Sequence, residues 1–460
     1  MSVLHSRWDR EKIRELLKKE DLKIHFIGVG GIGMCSLALL SQRQGYTVSG
    51  SDRDISANVN RLISMGVKVS VGHAKENVAT AELVVYTLAL DEGNAELSYA
   101  LRMGIPCISR AEYLGVLMEK YHSRLTVSGS HGKSTSSAML DAVFCKAQRD
   151  PTTIMGAEIP GVGLPLRAGG DGVIIAEGCE YKDSFLHLCP SITLFTNLEL
   201  DHVDYFKSID DIKASFLKAM NIAELSVVNS DDENLASLIP YVNGRCVTYG
   251  EGKDADYRAS IFEWKRGYYG FSLSNGEKEV IRARLAIPGR HNAQNASGVA
   301  ALSLECGIPR ETVEEALSAF SGIGRRLERL TDYGTCEVYY DYAHHPTEIK
   351  AVIKTVREMT GKPVAVIFKP HTYSRTEALF SDFVSSLSLA DRVLLCEISA
   401  IRELCRQSVS SSMLAKAIGE GAVCVSEANI LDALSGLDKY AIIIMGAADL
   451  DTVKRLLQKK

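Results

Sequence analysis

Two glycine-rich turns in this 460-residue chain carry the residue types that hold phosphate. Gly129-Ser130-His131-Gly132-Lys133-Ser134-Thr135 follows one apolar run and opens a helical one. Backbone N–H groups in such a turn converge on phosphate oxygens, the lysine adds charge at β- and γ-phosphates, and the hydroxyl after it reaches Mg²⁺. Val127 stands where the longer G-x-x-x-x-G-K-[ST] loop has its first glycine, so this is a shorter G-x-x-G-K-S form; it points to ATP. Gly28-Val29-Gly30-Gly31-Ile32-Gly33 fits G-x-G-x-x-G, and Asp52 lies near the end of the next apolar run. That arrangement seats a pyrophosphate on a helix N-terminus with a carboxylate near a ribose. By itself it leaves a dinucleotide and a UDP-sugar equally open. Two phosphate turns in succession exclude a plain dehydrogenase and fit an enzyme using ATP with a second nucleotide.

Other chemistry-bearing residues fall at the ends of apolar runs, where open α/β sheets bind ligands. Glu177 ends GVIIAE, and His202 sits in TNLELDHVDYF. A carboxylate and an imidazole there suit Mg²⁺ beside a phosphate, against the blander readings of an ion-pair partner and a hydrogen-bonding loop residue. His291, Asn292 and Asn295 open an alanine-rich helix, the two asparagines spaced to share a face or simply to cap it. His344 and His345 follow Asp341, and His371 and Arg375 follow Lys369-Pro370. Arginine at a strand end offers a planar fork to carboxylate or phosphate, although adjacent histidines also occur in surface turns.

The elements that must position these residues form an α/β pattern. At about 150 residues per domain the length suggests roughly three domains. Up to about residue 121, apolar strands alternate with helical stretches, which implies a parallel sheet. A second unit opens at Arg124 and gains a small antiparallel sheet over 245–289, with Ser274-Asn275-Gly276-Glu277 as its hairpin turn. A third α/β unit begins near Arg326. The first twenty residues are charged throughout and predict an amphipathic lead-in helix, not a signal peptide. The apolar stretch 24–40 is broken by four glycines and cannot span a membrane. With 52 basic and 57 acidic residues the net charge is −5, so an anionic ligand needs a local cationic pocket, and nucleic acid and membrane surfaces are not expected partners. Eleven cysteines without C-x-x-C spacing read as reduced thiols of a cytoplasmic protein.

Taken in order, GVGGIGM, GSHGKST, AEGCEYKDSFL, TNLELDHVDYF, GRHNAQNA, GIGRRLE, DYAHHPTE and KPHTYSRT resemble the Mur ligases of cell-wall synthesis. The pairing of GVGGIGM with DYAHHP resembles the alanine-adding branch. The resemblance implies a Rossmann-like UDP-sugar domain over 1–122, a P-loop ATP-binding domain over 123–325, and a Rossmann-like domain over 326–460 that completes the ATP and amino-acid sites. It implies ATP and Mg²⁺ as cofactors, UDP-N-acetylmuramate and L-alanine as substrates, and a monomer or weak homodimer. Gly28, Gly30, Gly31, Gly33, Asp52, His73 and Arg110 would hold the UDP-sugar. The 129–135 turn, His291, Asn292, Asn295, Arg326 and Asp341 would hold ATP, with Ser134, Glu177 and His202 at the metal. Lys133, Glu177, His202, His344, His371 and Arg375 would carry the chemistry, the last three as cations around the acyl phosphate. A sister ligase adding another amino acid or a preformed peptide stays open, as does a fold that has lost catalysis. Ser134 stands where threonine is common, and Tyr340 where the first of two aspartates is. Cys179-Glu180-Tyr181-Lys182 replaces Asp-Glu-Ser-Asp, and Ala448 interrupts a GAGD turn at 446–449. Phe216 takes the place of a lysine that is carbamylated in several members.

Overall fold

The computed structural model describes residues 9–90, 93–330, 332–400, 408–447, 450 and 453–454. Residues 1–8 of the expected lead-in helix and positions 448 and 449 of the 446–449 turn lie outside them. The described part of that helix spans Arg10–Leu16, capped by the Asp9 side chain.

Three sheets follow one another along the chain. The first holds five parallel strands in the order Lys68–Val71, Thr47–Asp52, Lys23–Ile27, Leu83–Tyr86, Cys107–Ser109. Its strand order reverses beside Lys23–Ile27, so the turn 28–33 leaves the sheet at a crevice. In the second sheet, Ser123–Ser128 runs between Ile192–Phe195 and Val173–Gly178, all parallel. The antiparallel hairpins expected after residue 245 continue this same ten-stranded sheet. Arg245–Gly250 still pairs parallel with Leu225–Asn229, and the antiparallel part starts at Tyr257–Lys265. The hairpin turn falls where expected, Asn275 pairing with Lys278 around Gly276 at φ 59°. The third sheet has six strands, parallel except for the edge strand Glu328–Arg329.

The helix after each glycine-rich turn is buried nearly all round, because it lies between its sheet and another layer. Ser134, Thr135, Ser136, Ser137 and Ala138 let Lys133–Lys146 pack closely. No described helix is long and apolar enough to cross a membrane. The ten described cysteines are unpaired.

The first domain's core continues into the second through Ile154, Leu166, Ile174, Ala176 and Leu188. Helix Arg110–Met118 comes so close that a Cβ on Gly115 would stand 2.0 Å from the His187 carbonyl oxygen. The two apolar clusters of the third domain contain only its own residues.

Candidate functional site

The parallel register delivers the turn 129–135 to the carboxyl edge of the second sheet, next to Thr196 and Gly178. Gly129 has φ 149°, and a Cβ there would stand 2.0 Å from Thr196 Oγ1. Gly132 has φ 82°, and its Cβ would stand 2.7 Å from Asn295 Oδ1. Neither position tolerates a side chain, so the backbone stays open to a ligand. The segment after Ile192–Phe195 pins the loop. The His131 N–H donates to Asn197 Oδ1 (2.7 Å), the Thr196 hydroxyl donates to the His131 carbonyl (2.8 Å), and the Glu199 N–H donates to Ser130 Oγ (2.8 Å). Lys133 Nζ donates to the Gly129 carbonyl at 2.5 Å and to both Glu180 oxygens at 3.0 and 3.1 Å. Burial opposes its charge, but the Glu180 carboxylate outweighs burial and holds the ammonium above the ordinary lysine range.

Glu177 pairs in register with Val127, which places it beside the phosphate turn, and its Oε1 accepts the Gly156 N–H at 2.7 Å. His202 adopts φ 52°, with its ring 4.8 Å from that of Tyr181 and Nε2 3.6 Å from Glu180. Glu180, 1% exposed, therefore links Lys133 to His202. Ser134 and Glu177 supply hydroxyl and carboxylate oxygens on the loop flank, a donor set that fits Mg²⁺. Phe216 is buried against Phe185 and Phe195, an apolar place for a residue in a carbamate's position.

The third domain brings Arg326, Asp341, His344, His371 and Arg375 to the same edge. Arg326 and Asp341, together with the second domain, enclose a cleft of about 840 Å³, lined also by His131, Gly132, His291, Asn292 and Asn295, while His344, His371 and Arg375 lie outside its lining. His291 is pushed down to about 4 by burial and then by the Arg326 guanidinium. Asn292 Nδ2 donates to the Pro288 carbonyl at 2.7 Å, a capping role beside the cleft. Asp341, expected to reach the nucleotide, accepts the Leu327 and Ala343 N–H groups at 2.7 Å each, so one oxygen anchors the linker and the other the loop after its own strand. Burial raises its carboxyl to about 6.

His344 departs from the expected cation. Burial pushes its imidazole down to about 4, so it is neutral at neutral pH. The fixed charge here is Arg375's, and its guanidinium is already engaged: Nε and Nη2 donate to Asp201 Oδ1 at 3.0 and 2.8 Å. Asp201 is 4% exposed, and although burial opposes ionisation, Arg375 holds it below the ordinary carboxylate range. His371 Nδ1 lies 3.2 Å from Arg375 Nη1. The turn that aims Arg375 is strained, since the β-branched Thr372 takes φ 68°. Glu199 and Glu348 complete this seam. The Thr347 hydroxyl donates to Glu199 at 2.7 Å, and His131 lies 3.4 Å from each of the two carboxylates. Burial opposes charge on His131, but Glu348 and Glu199 outweigh it and raise the imidazole to about 9.

The turn 28–33 lies outside this cleft, in the first domain. Gly28 has φ 80°, and Gly30 meets Asp52, whose Oδ2 accepts the Gly30 N–H at 2.8 Å. Asp52, expected near a ribose, thus braces the turn itself. Gly31 lies within the same turn, its N–H donating to the Gly28 carbonyl. Gly33 faces Arg110, whose Nη1 would be 3.2 Å from a Cβ. His73 Nδ1 lies 3.1 Å from Ser51 Oγ and 3.1 Å from Glu96. Glu96, fully buried, also accepts from Ser51 and Asn77. Sequence reasoning missed Glu96, Glu180, Glu199, Asp201 and Glu348. Glu180, Glu199, Asp201 and Glu348 lay inside the motifs quoted above, but spacing does not tell which side chain faces the site.

Family profiles match three consecutive stretches: "Mur ligase family, catalytic domain" over 23–122, "Mur ligase middle domain" over 127–303, and "Mur ligase, glutamate ligase domain" over 325–448. The UDP-N-acetylmuramate–L-alanine ligase of Caldicellulosiruptor bescii is 37% identical over 448 residues, covering 95% of this chain and 98% of that protein. The enzyme of the same name from Solidesulfovibrio magneticus is 40% identical over 400 residues, 86% of this chain and 87% of its own. Among solved structures, UDP-N-acetylmuramate–alanine ligase from Thermotoga maritima superimposes with a TM-score of 0.81 at 26% identity, covering 95% and 98% of the two chains. Two glycine-rich turns at strand ends, a cleft completed by a third domain, and these matches agree: the chain belongs to the Mur ligase family.

Proposed function

We propose that this protein is an ATP-dependent ligase that joins L-alanine to the lactyl carboxylate of UDP-N-acetylmuramate through an acyl phosphate, in peptidoglycan precursor synthesis. The observation that carries this reading is the near full-length identity to ligases of that name, at 37% over 448 residues. The domain limits it implies are 1–122, 123–325 and 326–460, and its compartment is the cytoplasm.

A carboxylate is a poor electrophile until phosphorylated. ATP's γ-phosphate would sit over the N–H groups of the turn 129–135, with the Lys133 ammonium against the transferred phosphoryl oxygens. Transfer of this kind needs charge neutralisation and in-line positioning more than covalent protein chemistry. Ser134, Glu177 and His202 would hold Mg²⁺, which when bound neutralises phosphate charge. Glu180 keeps Lys133 charged and aimed, acting through that residue. Arg326 and His291 line the nucleotide side. Gly28, Gly30, Gly31, Gly33, His73 and Arg110 would hold the UDP-sugar. The amine of L-alanine then attacks the acyl carbon and phosphate leaves. Arg375 would stabilise the developing oxyanion, with His344 acting as a neutral hydrogen-bonding group and His371 beside it. Closure of the third domain excludes water, which would otherwise hydrolyse the acyl phosphate.

The test is incubation with ATP, Mg²⁺ and UDP-N-acetylmuramate against a panel of amino acids and short peptides, following ADP and the new amide. L-Alanine should give the fastest amide formation. Amide formed only with a preformed peptide would move the protein to a sister activity. Failure of every acceptor would overturn the reading.

A further inference from the structure

We propose that His131, Glu199 and His345 form a binding site for a transition-metal ion of the zinc class, built across the seam between the second and third domains. One ligand atom from each of the three lies within 4.8 Å of the others. His131 Nε2 stands 3.4 Å and His345 Nδ1 3.5 Å from the same oxygen, Glu199 Oε2. Those separations are long for hydrogen bonds, which favour about 2.7–3.2 Å. They match the edge of a tetrahedron around an ion with bonds of about 2.1 Å, which is about 3.4 Å. Two of the three edges are therefore already set, and the third, within 4.8 Å, would have to shorten toward the same length.

The surroundings of His131 and Glu199 suit metal ligation, whereas the second ring nitrogen of His345 lacks the partner that ligating imidazoles usually have. His131 presents its other nitrogen, Nδ1, to the Glu348 carboxylate at 3.4 Å, whose charge favours a proton on that nitrogen and leaves Nε2 to ligate. The Thr347 hydroxyl donates to Glu199 Oε2 at 2.7 Å and orients that carboxylate. His345 is 5% exposed, yet its Nε2 has no hydrogen-bond partner, and Nδ1 has only a long contact of 3.4 Å from the Thr347 N–H besides Glu199. Protein hydrogen bonds do not offset the burial of this ring. Two imidazoles and one carboxylate suit zinc, whereas Mg²⁺ prefers oxygen ligands, so this set is richer in nitrogen than Ser134, Glu177 and His202.

Three segments meet at the ion. His131 belongs to the phosphate turn, Glu199 follows the strand Ile192–Phe195, and His345 caps the helix Pro346–Thr360. A bound ion would tie the third domain to the second and draw on the loop that carries Lys133. Zinc is thus expected to hold the cleft in one position and to inhibit turnover.

The experiment is calorimetric titration of chelator-treated protein with Zn²⁺ in excess Mg²⁺, with Co²⁺ absorption as a second probe. Wild type should bind one Zn²⁺ tightly and show a tetrahedral Co²⁺ spectrum. His345→Ala and Glu199→Gln should each weaken that binding by about 100-fold, on the scale of lost metal ligands and their supports. Zn²⁺ should raise the melting temperature of wild type but not of His345→Ala. Cysteine-bound zinc would leave both variants binding like wild type, and that result overturns the site. So does wild type that binds no Zn²⁺, which would leave His131 as an imidazolium between Glu199 and Glu348. A variant that has lost its fold is replaced by His345→Asn, which keeps a polar helix cap and lacks the metal-binding ring.

Discussion

Helix Arg110–Met118 sets Gly115 directly against a carbonyl of the second domain, and one apolar cluster runs through both units. Where the third domain meets the second, Arg375 reaches Asp201, Thr347 reaches Glu199, and His131 lies between Glu199 and Glu348. Among the described residues no apolar cluster spans that second seam. Apolar burial is non-directional and holds wherever surface is removed from water. Ion pairs taken out of water gain little net stability and depend on geometry and on which ligands are present. The first seam therefore packs the first and second domains as one body, and the second is the seam at which the third domain would open and close over the cleft.

The largest expected effect is chemical. Lys133→Ala should cut ligation by about a thousandfold at saturating ATP, the scale of losing a main charge stabiliser. Release of ADP at a rate within tenfold of wild type would remove phosphoryl transfer from this loop.

The apolar seam should respond next. Gly115→Ala places a Cβ in the His187 carbonyl and should destabilise the protein by about 3 kcal/mol, near the upper range for overpacking. Urea unfolding monitored in both domains should show a joint loss. A loss confined to the first domain would separate the two units.

Arg375→Lys acts on the polar seam. Lysine keeps charge but cannot hold Asp201 through a fork and still face the oxyanion, so kcat for amide formation should fall about tenfold, and the apparent KM for ATP should change much less. Acyl phosphate should still be trapped without amino acid. An ATP-specific defect would assign Arg375 to the nucleotide.

The most gradual effect, spread over several pH units, concerns His291. Its folded value of about 4 lies below the ordinary 6.5, so between those values the unfolded chain binds the extra proton. Stability should therefore rise with pH across that window and fall as pH drops through it, by about 1 kcal/mol per pH unit. His291→Asn should flatten that slope in melting curves taken from pH 4 to pH 7. An unchanged slope would mean that His291 titrates alike in both states.

Much of the fold was legible because apolar runs, glycine turns and helix caps are local signals. The 28–33 and 129–135 turns and the 274–277 hairpin sit where their residue types placed them. The continuity of the central sheet was not legible, since Tyr249 pairing with Tyr257 depends on tertiary position. Spacing pointed to Lys133, Glu177 and Arg375 at strand ends but not to the buried carboxylates that pair with the cations. Glu180, Asp201 and Glu348 look like ordinary loop and helix acids until the fold buries them against Lys133, Arg375 and His131. His344 shows the same limit from the other side, because its neutrality comes from burial and not from its type.

Small-angle scattering of Asp201→Ala beside wild type, with neither nucleotide nor UDP-sugar, bears on the contrast between the seams most directly. Removing Asp201 leaves the Arg375 guanidinium without its buried partner at the second seam and touches nothing at the first. The radius of gyration should increase, and the longest interatomic distances should grow, while the first two domains keep their compact profile. Scattering curves that superimpose would show that the third domain stays docked without the ion pair, and the ionic seam would not be what positions it.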